Sequence, residues 1–377
     1  MLHCINTLNT RMLKLKAMLA ILLLLLLSTE YISAVSSSKV LSDFCLNSLP
    51  QTENTFRTLP TEIGYLKSCC AQQPPFPTQN ECFQTTLAII PFVMFNLQHL
   101  LARIETSRVA PTIVKANNID PYMLARKLHR AIDGWGTDEN SIINVLSSIT
   151  GKQRIRTSIK YKELFNSYLK SDLRGDTSGS FKHLLIALMY FPAEHDAWLV
   201  RDAIAPSGTK HDVLVDVVAT STVNEMLHVR EAYQRFYNAS LEKDLAKELK
   251  GQGVYRDTIL HMATRYSNHV NTTWAQQIVR RSNQASKDHI SNLVRVIRAI
   301  YTSSVGGRHS YFAQRLHTTM AGVGTKDSEL IGLVTSRVER DMKAVEESYL
   351  ELYGHSLASD LKGDLSGDTL KLMLKLI

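Results

Sequence analysis

Apolar residues along most of the chain recur at helical rather than alternating spacing. Tyr122, Leu124, Leu128 and Ile132 mark one face of a helix that stops at Gly134. Leu, Ala, Lys, Arg and Glu fill such patterns and β-branched alternation is rare, so the chain is predicted to be all-α. Two apolar runs stand apart. Met18 to Leu27 follows Arg11, Lys14 and Lys16 and precedes the small and polar stretch Ser28 to Ala34. That order predicts a secretory signal at 1–34, cut after Ala34, with an amphipathic or mis-assigned start of translation as the other reading. It is too short to cross a bilayer, which takes roughly twenty apolar residues. Leu87 to Leu101 is broken by Pro91 and diluted by Asn96, Gln98 and His99, which predicts a docking helix or local core rather than a span.

Composition narrows the class. The 377 residues are 44% hydrophobic, 21% charged and 7% aromatic, which excludes a disordered chain, collagen and a polytopic membrane protein. A net charge of +8 favours anionic partners such as nucleic acid, glycan or acidic lipid without choosing among them. Cys4, Cys45, Cys69, Cys70 and Cys82 all precede residue 83. Removal of the signal leaves four, an even number that suits two disulfides in an oxidising compartment, with three pairings open. Residues 35–110, with Pro50, Pro60, Pro74, Pro75 and Pro77, read as a poorly structured extension before a core at 111–377.

The core repeats itself. Ala131-Ile-Asp-Gly-Trp-Gly-Thr-Asp-Glu139 returns as Ala203-Ile-Ala-Pro-Ser-Gly-Thr-Lys210 and as Met320-Ala-Gly-Val-Gly-Thr-Lys326. Asp176, Glu248 and Asp364 each follow Gly134, Pro206 and Gly322 by the same 42 residues. Capped helix junctions alone require no constant distance to a carboxylate.

Calcium chemistry does require it. Ca²⁺ takes six to eight hard oxygen ligands, and backbone carbonyls serve where the chain can turn them inward. Glycine reaches positive φ without steric cost, so the carbonyls of Ile132, Gly134 and Gly136 can converge. Thr137 is predicted to cap the next helix, with Asp138 and Glu139 in its first turn. Neutral carbonyls cannot balance the ion, and Asp176 can supply the anion if two antiparallel helices return the chain. Sites with one carboxylate are weak, about 10⁻⁵ to 10⁻³ M, and gain by avidity when several share a face.

With these motifs in place, the chain from about Pro111 resembles an annexin. The resemblance implies repeats of five helices in a curved disc, Ca²⁺ as cofactor, and calcium-dependent binding to acidic phospholipid membranes, with lateral self-association there. It carries metal ligation to Ile132, Gly134, Gly136 and Asp176, and to Met320, Gly322, Gly324 and Asp364. The second repeat matches at Ile204, Gly208 and Glu248 and departs at Pro206. Trp135 and Val323, each between two loop glycines, are predicted membrane contacts. Repeats are placed at about 120–191, 192–264 and 309–377, with a partial one at about 271–303 in which Asn271 to Asn283 stands for the first helix and His289 to Tyr301 for the last. The missing helices should leave apolar faces of the neighbouring repeats without cover. The chain's end soon after Asp364 predicts a shortened last helix.

No phosphate loop, H-E-x-x-H, G-x-S-x-G or EF-hand pattern occurs, and no nucleic-acid partner or enzyme activity is predicted. Asn238 and Asn271 head glycosylation sequons that matter only on a secretory route. The leading function is calcium-dependent membrane binding, secreted or extracellular if the signal acts and cytoplasmic otherwise. The alternative is a secreted helical module that binds anionic glycan or protein without calcium, and a hydrolase hidden in the extension is weaker.

Overall fold

The computed structural model describes residues 79–377 apart from 107, 135, 207, 283–286 and 322–325, and among these residues it contains 18 helices and no strand. The predicted signal at 1–34, with Cys45, Cys69 and Cys70, lies outside them. The first helix, α1 (Gln79–Glu105), precedes three sets of five. Repeat one comprises α2 (Pro121–Ile132), α3 (Glu139–Ser147), α4 (Gly151–Phe165), α5 (Leu169–Asp176) and α6 (Gly179–Leu188). Repeat two comprises α7 (Pro192–Ala203), α8 (His211–Val218), α9 (Val223–Tyr237), α10 (Leu241–Glu248) and α11 (Gly253–Thr264). After α12 (Thr272–Ser282) and α13 (Lys287–Val305), repeat four comprises α14 (Arg308–Met320), α15 (Asp327–Arg337), α16 (Met342–Tyr353), α17 (Leu357–Asp364) and α18 (Gly367–Leu376).

Local signals explain where these helices start. Asp120 accepts a hydrogen bond from the Tyr122 amide and Pro121 fills the first turn of α2, where no amide partner is needed. The buried stripe Ala125, Leu128, Ala131 and Ile132 then packs α2 against α4. The same first-to-third pairing recurs as α7 on α9 and α14 on α16. The final helix is not shortened as the chain's end had suggested: α18 has 10 residues, as α6 has. Five of its ten positions are apolar, and Leu372, Met373 and Leu376 among them are buried.

The partial repeat consists of α12 and α13, and α1 packs along both. The apolar run at 87–101 is therefore part of one 27-residue helix, unbroken at Pro91. Proline inside a helix costs about 3 kcal/mol. Burial offsets that cost, because Ile90, Val93, Met94, Leu97, Leu100, Leu101 and Ile104 are all at most 2% exposed and form a helical stripe. Ser304 donates to the Leu100 carbonyl at 2.8 Å, and the Val223 amide donates to the Glu105 carboxylate at 2.7 Å. A segment from the extension thus covers the apolar surface that the missing helices would have left bare. Beyond it, Ala110 and Thr112 pair through their backbones with Arg340 and Val338 of repeat four.

Repeats two and four meet through buried ion pairs. Asp216 accepts from Arg315 at 2.7 and 2.9 Å and from Tyr311 at 2.6 Å. Arg308 joins Glu225 at 2.6 Å to Asp341 at 3.1 Å, and Arg340 reaches Asp196 at 2.6 Å. Burial alone would raise the Glu225 carboxyl, but Arg340, Arg308 and Arg337 outweigh it and hold that group well below the usual carboxylate range. Among the described residues no helix is long and apolar enough to cross a membrane.

Candidate functional site

The first loop is built by two backbone closures. The Asp133 amide donates to the His129 carbonyl at 2.7 Å, ending α2, and the Asp138 amide donates to the Ala131 carbonyl at 2.8 Å, closing the loop between them. Inside it Gly136 has φ +88° and Gly134 φ +152°, and a β-carbon at either would meet nothing within 4 Å. The need for glycine is therefore torsional, not steric. The same closure recurs as Lys210 to Ala203 at 2.8 Å and Lys326 to Thr319 at 3.2 Å.

Asp138, not Thr137, caps α3: its side chain accepts from the Ser141 amide at 3.0 Å, and the bonds from Ser141 pull its carboxyl below the ordinary value. Thr137 lies one residue too early, and its hydroxyl instead donates to the Asp176 carbonyl at 3.2 Å. That contact brings the loop and the end of α5 together, with Gly134, Gly136 and Asp176 all exposed and Ile132 buried at the loop's root. In repeat two the equivalent Thr209 donates to the Glu248 carboxylate at 2.7 Å. In repeat four the buried Met320 ends α14 and the exposed Asp364 ends α17. Gly322, Val323 and Gly324, and Trp135 of the first loop, lie outside the described residues.

What aims each carboxylate is a tyrosine that sequence reasoning did not single out. Tyr161 donates to Asp172 at 2.8 Å, Tyr233 to Asp244 at 2.7 Å, and Tyr349 to Asp360. Each acceptor stands one helical turn before Asp176, Glu248 or Asp364, so the tyrosine pins the short helix that ends in the candidate ligand. In repeats one and two the first helix joins in, through His129 at 3.2 Å from the Tyr161 hydroxyl and Arg201 at 3.1 Å from that of Tyr233. Burial, with Asp244 adding to it against Arg201, pushes Tyr233 up to about 12, so it stays a donor. The signal was present in the chain: tyrosine and aspartate are separated by the same 11 residues in all three repeats.

The second loop departs where the sequence does. The Gly208 amide donates to the Ala205 carbonyl at 3.1 Å, a turn with Pro206 in the position where proline is favoured, followed by Gly208 at φ +114°. Ile204 is buried at its root, and Lys210 pairs with Asp202 at 2.8 Å.

Repeats one and four flank an open cleft of ≈ 450 Å³ lined by Asp176 and Asp364 together with Glu139, Asp327 and Asp368. Ser180 donates to Asp327, and Lys371 pairs with Asp368 at 2.8 Å. Among the described residues no three His, Cys, Asp or Glu side chains group as metal ligands. The donors offered are a glycine-turned run of peptide oxygens and one carboxylate, a hard-oxygen set suited to Ca²⁺ rather than to Zn²⁺.

The family model for annexins matches residues 123–188, 195–262 and 311–376, leaving the partial repeat unmatched. Annexin A8 of Oryctolagus cuniculus is 28% identical over 311 residues, which covers 71% of this chain and 95% of that protein. Among solved structures, annexin III superposes with a TM-score of 0.63 at 26% identity, covering 72% of this chain and 97% of that one. A calcium-bound annexin (Sm)1 gives 0.59 at 26% identity, covering 71% and 93%.

Proposed function

Because the chain belongs to the annexin family, we propose that it is a non-enzymatic protein that attaches peripherally to acidic phospholipid membranes through Ca²⁺. The reading is supported above all by the hydrogen bond from Thr137 to Asp176, which sets a glycine loop and a remote carboxylate side by side. Ile132, Gly134, Gly136 and Asp176 would hold one ion. Met320, Gly322, Gly324 and Asp364 would hold a second, and Ile204, Gly208 and Glu248 a weaker third. Loop carbonyls and a single carboxylate fill only part of a calcium shell, so a headgroup phosphate oxygen can complete it.

This chain's own contribution is positional. The glycines free the carbonyls, Thr137 and Thr209 staple the junctions, and Tyr161, Tyr233 and Tyr349 hold the helices that end in the carboxylates. Trp135 and Val323, each between two loop glycines in the sequence, are proposed to enter the interfacial layer. A secreted location is proposed from the signal-like pattern at 1–34, with a cytoplasmic, membrane-associated one as the alternative, and N-terminal sequencing of the mature protein decides between them.

Co-sedimentation with phosphatidylserine vesicles tests the function. Pelleting in calcium, release by chelator and a large loss in the Asp176→Ala, Asp364→Ala double variant are expected. Calcium-driven pelleting that the double variant leaves intact would refute the assignment of these ligands. Calcium without effect on wild-type binding would favour the metal-independent glycan- or protein-binding module.

A further inference from the structure

Among the described residues three lysines lie over tyrosine rings, and one of them lacks an acceptor for its proton. Lys160 stands 4.8 Å from the centroid of Tyr122 and is paired with Glu163 at 2.8 Å. Lys162 stands 4.2 Å from that of Tyr168 and donates to the Asn166 carbonyl at 3.1 Å. Lys170, in the first turn of α5, is half-buried 3.2 Å from that of Tyr190, and no described residue accepts a hydrogen bond from it. Glu194, the carboxylate that acts on it from α7, is engaged by Arg235 at 2.5 Å and by the Phe191 amide at 3.3 Å. Arg174 follows Lys170 by four residues, so the two side chains share a face of α5 with β-carbons about 6 Å apart. Arg174 is exposed, and no described carboxylate pairs with it. Burial, with Arg174 adding to it against Glu194, pulls the Lys170 ammonium down to about 8. The ring's attraction for a cation opposes that fall without supplying an acceptor. Tyr190 in turn stacks on Trp198 at 6.4 Å and meets Phe236 edge-on at 6.3 Å, so the ring is held in place as an aromatic floor.

We propose that Lys170, Arg174 and Tyr190 form a site that captures small anionic aldehydes as an imine on the lysine. A lysine that is desolvated, or set beside another cation, is an activated nucleophile. The lone pair of neutral Nζ forms a bond to the carbonyl carbon while the C=O π bond breaks and the oxygen takes up a proton. The nitrogen then gives up a proton, the C–O bond breaks with loss of water, and the C=N bond closes. Amine and aldehyde thus give imine and water, and nothing is oxidised or reduced. Arg174 supplies the counter-charge for the anionic group of the aldehyde, and Tyr190 offers a surface on which a flat one can lie. No candidate calcium ligand takes part, so the site goes beyond the calcium reading and does not depend on it.

Pyridoxal 5′-phosphate, a flat aldehyde with an anionic group, is the probe. The full chain is treated in chelator at pH 7.5 with probe held below the protein concentration, the imine is trapped with borohydride, and peptide mapping locates the label. At that pH about a quarter of an amine titrating near 8 is neutral, against about one in a thousand for an ordinary lysine. The ring takes back part of that advantage, so Lys170 is expected to be labelled at least about ten-fold faster than Lys160 or Lys162. Pyridoxal, which lacks the phosphate, should label Lys170 several-fold more slowly in wild type. In Arg174→Gln, altered at an exposed position, the two probes should label Lys170 at the same reduced rate. Lys170→Arg keeps a cation over the ring, so it should retain the wild-type melting temperature and lose the fast label.

The proposal is overturned by labelling of Lys170 no faster than that of Lys160 and Lys162. It is equally overturned by fast labelling that persists in Lys170→Arg, or by pyridoxal and its phosphate labelling wild-type Lys170 at one rate. Labelling that requires calcium also overturns it. The readout is taken in chelator on residues apart from the loops, whereas the membrane reading is tested by calcium-dependent pelleting, so either can fail while the other stands.

Discussion

Helix α1 should be part of the core rather than a removable tail, and deleting it tests this directly. Its seven buried apolar side chains, Ile90, Val93, Met94, Leu97, Leu100, Leu101 and Ile104, are each worth about 1.5–3 kcal/mol when fully buried. The gross loss on removing residues 1–106 is about 10–20 kcal/mol, an upper estimate because unfolded chains already bury part of this surface. A typical net stability is only about 5–15 kcal/mol. The shortened chain is therefore expected to lose cooperative unfolding in urea and to bind a hydrophobic dye. A graded version uses point variants in the full chain. Leu97→Ala, at a position with 0% exposure, should cost about 2–5 kcal/mol. Phe95→Ala, two residues away but 52% exposed, should cost under about 0.5 kcal/mol. Equal midpoints for the shortened and full chains, or equal costs for Leu97 and Phe95, would refute the packing argument.

The remaining predictions concern the loops and acid. Gly136→Ala places a β-carbon at φ +88°, which should cost about 1–2 kcal/mol and weaken calcium binding measured by titration calorimetry, while Gly175→Ala, with no such torsion and open space around it, should do neither. Tyr161→Phe removes the donor to Asp172. It should cost about 1.5–3 kcal/mol and lower calcium affinity at the first loop while leaving the fourth repeat's site unchanged, a difference that site-resolved NMR titration reads. His195 is buried, its Nε2 3.2 Å from the Thr335 hydroxyl, and burial pushes it down to about 4. Its folded value lies below its unfolded value, so the unfolded chain takes up the proton first. Stability is full above pH 6.5 and falls as the pH drops toward 4, by about 2 kcal/mol at pH 5. Thermal melts at pH 7 and 5 should show this fall in wild type and a smaller one in His195→Gln.

Much of the candidate site was legible because its signals are local or strictly periodic. The glycines at 134, 136 and 208 report torsions that other residues resist. The constant interval to Asp176, Glu248 and Asp364 reports a repeated unit, because the same path through three helices, one more than the two the sequence suggested, keeps such a distance. Thr137 was misplaced by one residue because a threonine and an aspartate before a helix are equivalent cap candidates in one dimension. The choice is made by Asp176, which offers Thr137 a partner from 39 residues away. The pinning tyrosines went unseen for a related reason, since an isolated Tyr in a helical stripe reads as ordinary core until the aspartate that accepts its hydrogen is placed beside it.

By itself, then, the sequence determined the helical class, the repeat length, the turns and the ligand chemistry, since backbone torsion, amphipathic period and oxygen donors are properties of short stretches. Only the tertiary structure decided that α1 fills the gap left by the partial repeat, that repeats two and four lock through Asp216 and Arg315, and that Asp176 and Asp364 line one cleft. Those outcomes depend on contacts between residues far apart in the chain. Apolar area needs cover, whichever segment supplies it, and buried charge needs a counter-charge; a linear pattern states both needs without naming the partner that meets them.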